Sequence, residues 1–141
     1  MKKIMLTIAI AMFASFGFAQ KNDIPANVKT RFQNLYPDVK KVKWEKENGH
    51  FEAEFEIAES DYSVLFDVLG NLIETEIEIR VADLPATAKA YISSNYPSQK
   101  IKEASKITDA KGTVTFEAEL KHTEVFFNAA GSFIKEVTEK K

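Results

Sequence analysis

At 141 residues the chain has room for one ordinary domain, or for two very small ones sharing a core. Its 19 basic and 21 acidic residues leave a net charge of −2, which argues against nucleic acid, whose phosphates are held by lysine and arginine. Cysteine is absent, so thiol nucleophiles, thiolate metal sites and disulfides are excluded and stability must come from apolar burial.

The chain opens MKKIMLTIAIAMFASFGFAQ. Two lysines, an apolar run from Ile4 to Phe18 and small residues at Gly17 and Ala19 are the layout of a secretory signal peptide over 1–19, cut near Ala19. The run is too short for stable membrane insertion. The mature chain, 20–141, is expected in the periplasm or outside the cell, without a lipid anchor because no cysteine follows the cut.

IPANVKTRFQNLYP, Ile24 to Pro37, predicts an amphipathic helix. Pro25 suits the first turn, Val28, Phe32 and Leu35 make one apolar stripe, and Pro37 stops the helix. VKKVKWEKENGHFEAEFEI follows, with Asn48-Gly49 at its centre, the pair best suited to a two-residue type I′ hairpin. That turn sets Trp44 opposite Ala53 and Lys43 opposite Glu54. Val42, Trp44, Ala53, Phe55 and Ile57 then share one face, and lysines and glutamates share the other. In VLFDVLGNLI, Asp67 and Gly70 stand at the first and fourth positions of a turn leading into a further strand.

The same blocks return in the same order. LPATAKAYISSNYP, Leu84 to Pro97, repeats the helix, with Ala88, Tyr91 and Ile92 as its stripe. FEAEL, Phe116 to Leu120, repeats FEAEF, Phe51 to Phe55, and VFFNAAGSFI, Val125 to Ile134, repeats VLFDVLGNLI. A tandem repeat is therefore expected, 20–82 and 83–141. Each copy has the α+β form of one helix over a four-stranded antiparallel sheet.

These features together, the helix closing in Tyr-Pro, the alternating strand VKWEKENGHFEAEFEI and the hairpin DVLGNLIE after a signal peptide, resemble the PepSY-like proteins of the cell envelope. That family is also described as resembling the β-lactamase-inhibitor protein in fold. The resemblance spans 24–138 and implies a continuous antiparallel sheet, helices on one side and an open face on the other, in an exported binding or inhibitory module. It brings no catalytic residues. The prototype inhibitor is disulfide-bonded and this chain has no cysteine, and no target-binding loop can be carried over.

On the open face strict alternation places Glu52, Glu54, Glu56, Glu74, Glu76 and Glu78, a set that reads as a solvated acidic face balanced by Lys41 and Lys43 or as oxygen ligands for a hard cation. No tight loop of carbonyl ligands accompanies them, and no metal or cofactor is expected. In the second copy Phe126 replaces Leu65, Phe133 replaces Leu72, Lys135 replaces Glu74 and Val137 replaces Glu76, so the face turns apolar. Such a patch marks either a protein contact or the join between copies. Trp44 reads as core, Tyr36 and Tyr96 as anchors of the helix ends, and His50 and His122 as turn residues. Without a nucleophile elbow, phosphate loop, dinucleotide glycines or zinc spacing, no enzyme is expected.

The sequence thus points to a non-enzymatic module engaging a protein or peptide through the open face. Leu65, Leu72, Phe126 and Phe133 are the expected apolar contacts, and Glu54 and Glu76 the charged ones. The alternatives are an inhibitor of an envelope peptidase or β-lactamase, and a cation-binding envelope-stress protein.

Overall fold

A computed structural model describes residues 23–138, and the expected signal peptide lies outside them. The elements in chain order are α1 (Ala26–Leu35), β1 (Lys43–Glu47), β2 (His50–Ile57), β3 (Ser60–Phe66) and β4 (Leu72–Ile79). After a 3-10 turn at Val81–Asp83 come α2 (Ala86–Asn95), β5 (Glu103–Asp109), β6 (Val114–Glu119), β7 (Thr123–Asn128) and β8 (Phe133–Thr138). The fold is α+β, with the strands antiparallel in the order β1 to β8. The chain divides into two compact units, one ending at Ile73 and one from Glu74. That division falls inside β4, upstream of the 82/83 boundary drawn from the sequence.

In the first unit the prolines act at the helix boundary. Pro25 precedes the first helical residue and its carbonyl accepts from Lys29 N at 3.1 Å. At the other end Tyr36 N donates to Phe32 O at 2.9 Å and the Tyr-Pro step turns the chain away. Val28 and Phe32 are buried on Phe51, Ala53, Phe55, Val64 and Phe66. Trp44 stands edge-on to Phe32 at 5.3 Å, a favourable aromatic geometry, and belongs to this core. Leu35, expected in the stripe, is exposed instead. The helix's contact with the sheet at this end is made by Phe32 and by Tyr36 just beyond it.

The hairpin register is the one the Asn-Gly pair dictates: Glu47 faces His50, Trp44 faces Ala53 and Lys43 faces Glu54. Both turn residues have positive φ, 49° at Asn48 and 83° at Gly49, as type I′ requires. The β2–β3 turn makes the same demand of a worse pair, Ala58 at 50° and Glu59 at 65°. Ordinary L-residues resist that region at about 1 kcal/mol each or more. Ala58→Asn with Glu59→Gly is therefore expected to stabilise the protein by about 1–2 kcal/mol, seen as a higher urea midpoint at unchanged slope. An unchanged midpoint would show that the turn is not under this constraint.

Asp67 organises the β3–β4 turn. The Asn71 side-chain amide donates to its Oδ2 at 2.8 Å, its Oδ1 accepts from the backbone amides of Asn71 and Leu69 at 2.9 and 2.8 Å, and these bonds hold its carboxyl below the usual range. Asn27 at the start of α1 donates to Val68 O at 3.0 Å, tying this turn to the helix.

The second unit repeats the logic with different residues. Pro85 O accepts from Lys89 N at 3.1 Å, Tyr96 N donates to Ile92 O at 2.8 Å, and Ala88 and Ile92 are buried on Ala104, Ala118, Leu120, Val125 and Phe127. Asn128 Oδ1 accepts from Ala130 and Ser132 as Asp67 does in its turn, and Thr87 Oγ1 donates to Ala130 O at 2.7 Å. A third turn of this kind, Asp109 to Gly112, joins β5 to β6 where the first unit uses Asn-Gly.

Candidate functional site: the sheet face without helices

Residues directly opposite in an antiparallel pair share a face, so the registers assign a face to each strand residue they pair. In the first unit Phe51 with Phe66, Ala53 with Val64 and Phe55 with Tyr62 lie under α1. Glu52 with Leu65 and Glu54 with Ser63 lie on the other face. There Ser63 Oγ donates to Glu52 Oε1, and both residues are buried. Leu65 beside them is buried as well.

At the edge of this face stands a group of three carboxylates, Glu45, Glu52 and Glu54, whose oxygens lie within 4.8 Å of one another. Lys43 Nζ bonds both Glu45 and Glu54, the latter at 3.0 Å. The bonds to Glu45 and then Glu54 push its ammonium up to about 12. The charge of this group is thus answered by a lysine from the neighbouring register position.

In the second unit three rows cross the same kind of face. Glu78, Ser105, Glu117, Phe126 and Lys135 form the middle row. Glu103, Glu119, Glu124 and Val137 form one flank, and Glu76, Ile107, Thr115 and Asn128 the other, with Glu74 opposite Asp109 beyond it. Three of these carboxylates are deeply buried: Glu76 at 3%, Glu117 at 7% and Glu124 at 5% exposure. Burial, with Glu76 and Glu124 next in effect, pushes the Glu117 carboxyl up to about 9. Glu74 is raised too, by burial and then by Asp109, while Lys135 opposes the rise. Two lysines oppose the charge of this face: Lys135, whose Nζ sits 4.8 Å from the Phe126 ring centroid, and at the edge Lys102, whose Nζ lies 3.7 Å from Glu119 Oε1. Glu74, Glu78, Glu103 and Glu119 are half-exposed and form its accessible rim.

The residues singled out from the sequence are split by this geometry. Leu65, Glu54, Phe126 and Glu76 lie on the helix-free face, Leu65 and Phe126 buried within it rather than standing out as an apolar patch. Leu72 packs against the first core. Phe133 is on the helix side, stacked on Tyr91 of α2 with ring centroids 4.8 Å apart. The reason is a register shift between Phe126 and Phe127, which seats Phe133 opposite Phe127 while Lys135 stays opposite Phe126. A bulge of this kind swaps the face of every residue before it. Tyr96 closes α2 as expected and its hydroxyl donates to Glu136 Oε2 from the same side. Burial and then that bond push the phenol up to about 12.

Glu117 and Glu124 were not singled out from the sequence, although the signal was present. FEAEL repeats FEAEF, so Glu117 must share the face of Glu52. Glu124 follows from the register that places it opposite Glu119.

The fold and these faces define a class: an α+β chain with two short helices among the described residues, eight antiparallel strands and, in the second unit, an acidic helix-free face. Among the described residues no helix is long and apolar enough to cross a membrane. The chain matches the family described as "putative beta-lactamase-inhibitor-like, PepSY-like" over residues 18–74 and again over 57–135. The chain belongs to this PepSY-like family.

Among solved structures, a protein of Bacteroides eggerthii described as "putative periplasmic" is similar, with a TM-score of 0.75 at 11% identity over 81% of this chain and 88% of that one. A DUF2874 family protein of Bacteroides ovatus gives 0.72 at 20% identity, over 81% and 86%. A BLIP-like protein of Bacteroides fragilis gives 0.64 at 20% identity, over 83% and 89%. At these identities the likeness is one of fold. No curated protein matches significantly.

Proposed function

We propose that this PepSY-like chain is an exported, non-enzymatic module, built from two copies of one unit, that engages a protein or peptide through its helix-free face. A basic segment is the partner this face favours. One observation carries the reading: the half-exposed rim of the second unit, Glu74, Glu78, Glu103 and Glu119, stands around three buried carboxylates and is opposed only by Lys135 and, at the edge beside Glu119, Lys102 among the described residues of that face. Such a surface steers and selects opposite charge, and a preformed sheet loses little conformational freedom on binding. Glu54, paired with Lys43, and the buried Glu76 lie on helix-free faces, while Leu65 and Phe126 form the floor beneath them.

A short oligolysine peptide is expected to bind the mature chain at low salt and to weaken as salt rises, with an oligoglutamate peptide showing no binding. Glu78→Lys with Glu119→Lys places like charge on the rim and is expected to cost at least about tenfold in affinity. Affinity unchanged by the double reversal would remove the rim from the interaction.

A further inference from the structure

We infer that the helix-free face of the second unit is a proton-holding device: the buried trio Glu76, Glu117 and Glu124 keeps a proton on Glu117 at neutral pH, and losing it loosens this face.

The geometry stands on register and burial. Glu117 sits in the middle row with the Phe126 ring directly opposite on one side and Ser105 on the other. Neither neighbour carries charge. Every charged group that shares this face on the strands around it is named by the same registers: Glu74, Glu76 and Glu78 on β4, Glu103 and Asp109 on β5, Glu119 on its own strand, Glu124 on β7 and Lys135 on β8. Seven of these eight are acidic. Lys135 lies over Phe126, and Lys102, which reaches Glu119 Oε1 at 3.7 Å, stands at the edge of the face.

Three carboxylates each less than a tenth exposed, on β4, β6 and β7 of one face, cannot all ionise without large cost, because burial and like charge both oppose it. Keeping one of the three carboxyls protonated is the ordinary resolution, and the titration then belongs to the group. Glu117 is the member nearest the centre, and the rise of its carboxyl to about 9 agrees with that position.

The direction of the effect follows from proton linkage. With a folded-state value above the unfolded one, the folded chain binds more protons between about pH 4.5 and 9, so stability falls as pH rises through that window. Below it the contribution is fully present. An envelope compartment is exposed to outside pH, so the device would report alkaline conditions as a looser second-unit face.

Two readings test this on the full mature chain. In a carbon-detected titration, the Glu117 Cδ resonance is expected to move with a midpoint above pH 7, and melting temperature is expected to fall by roughly 10 °C between pH 6 and 9. Glu117→Gln, which mimics the protonated acid, is expected to flatten that fall and to melt higher than the parent at pH 8. A Glu117 carboxyl already ionised at pH 6 overturns the proposal, as does an equal fall in parent and variant. Should the variant not fold, the parent's own resonance decides.

Discussion

Gly131→Ala is expected to be the most damaging small substitution in the chain, lowering stability by about 3–5 kcal/mol. Two costs add. The residue has φ of 83°, which alanine adopts at a cost of about 1 kcal/mol. Its added methyl would then lie 2.0 Å from Thr87 Oγ1, 2.7 Å from Pro85 Cβ and 3.1 Å from Ala88 N. Thr87 is tied to Ala130 O and Pro85 begins α2, so the clash falls where the helix docks onto the turn. Gly49 supplies the control. It has the same φ of 83° with nothing within 4 Å of the added methyl, so Gly49→Ala should cost only about 1 kcal/mol. Urea unfolding of the two variants separates conformational cost from clash. Equal midpoints would mean that the β7–β8 turn is not seated on α2 as described.

Phe127→Ala is expected to cost about 3–5 kcal/mol, against about 1 kcal/mol for Phe133→Ala. Phe127 is fully buried against α2, with the Tyr91 ring edge-on at 5.7 Å. Removing its ring leaves a cavity that close-packed neighbours cannot fill. Phe133 is 41% exposed and contributes its stack on Tyr91. The comparison also tests the face assignment of Phe133. Quenching of tyrosine fluorescence by a water-soluble quencher should increase in Phe133→Ala, because Tyr91 loses its cover. Damage from Phe133→Ala equal to that from Phe127→Ala would place Phe133 in the core proper.

Much of the fold is written in local chemistry. Asn48-Gly49 marks a turn whose positive φ values such a pair adopts most readily, and the β1–β2 register follows without further information. Tyr-Pro ends both helices because the residue before proline leaves the helical region. Asp67 and Asn128 mark their turns by bonding amides two and four residues on. The turn at Asp109 to Gly112 carries the same signature and was readable on the same grounds.

What the sequence conceals is set over longer range. The bulge at Phe126/Phe127 has no local mark, and it moves Phe133 from the expected open face to the helix side. Alternation fixes which face a glutamate takes but says nothing of its exposure. Glu52, Glu76, Glu117 and Glu124 alternate like solvated residues and are nonetheless buried. The unit boundary inside β4 is equally hidden, because it depends on which strands that segment contacts.

The measurement that tests the central claim most directly is an amide chemical-shift titration of the mature chain with oligolysine. Perturbations confined to residues of the second unit's sheet, such as Ser105, Thr115 and Glu119, and reduced in the Glu78→Lys and Glu119→Lys variant, are the predicted result. Perturbations centred on α1 or α2, or a spectrum unchanged at millimolar peptide, would contradict a role for the helix-free face in capturing a basic partner.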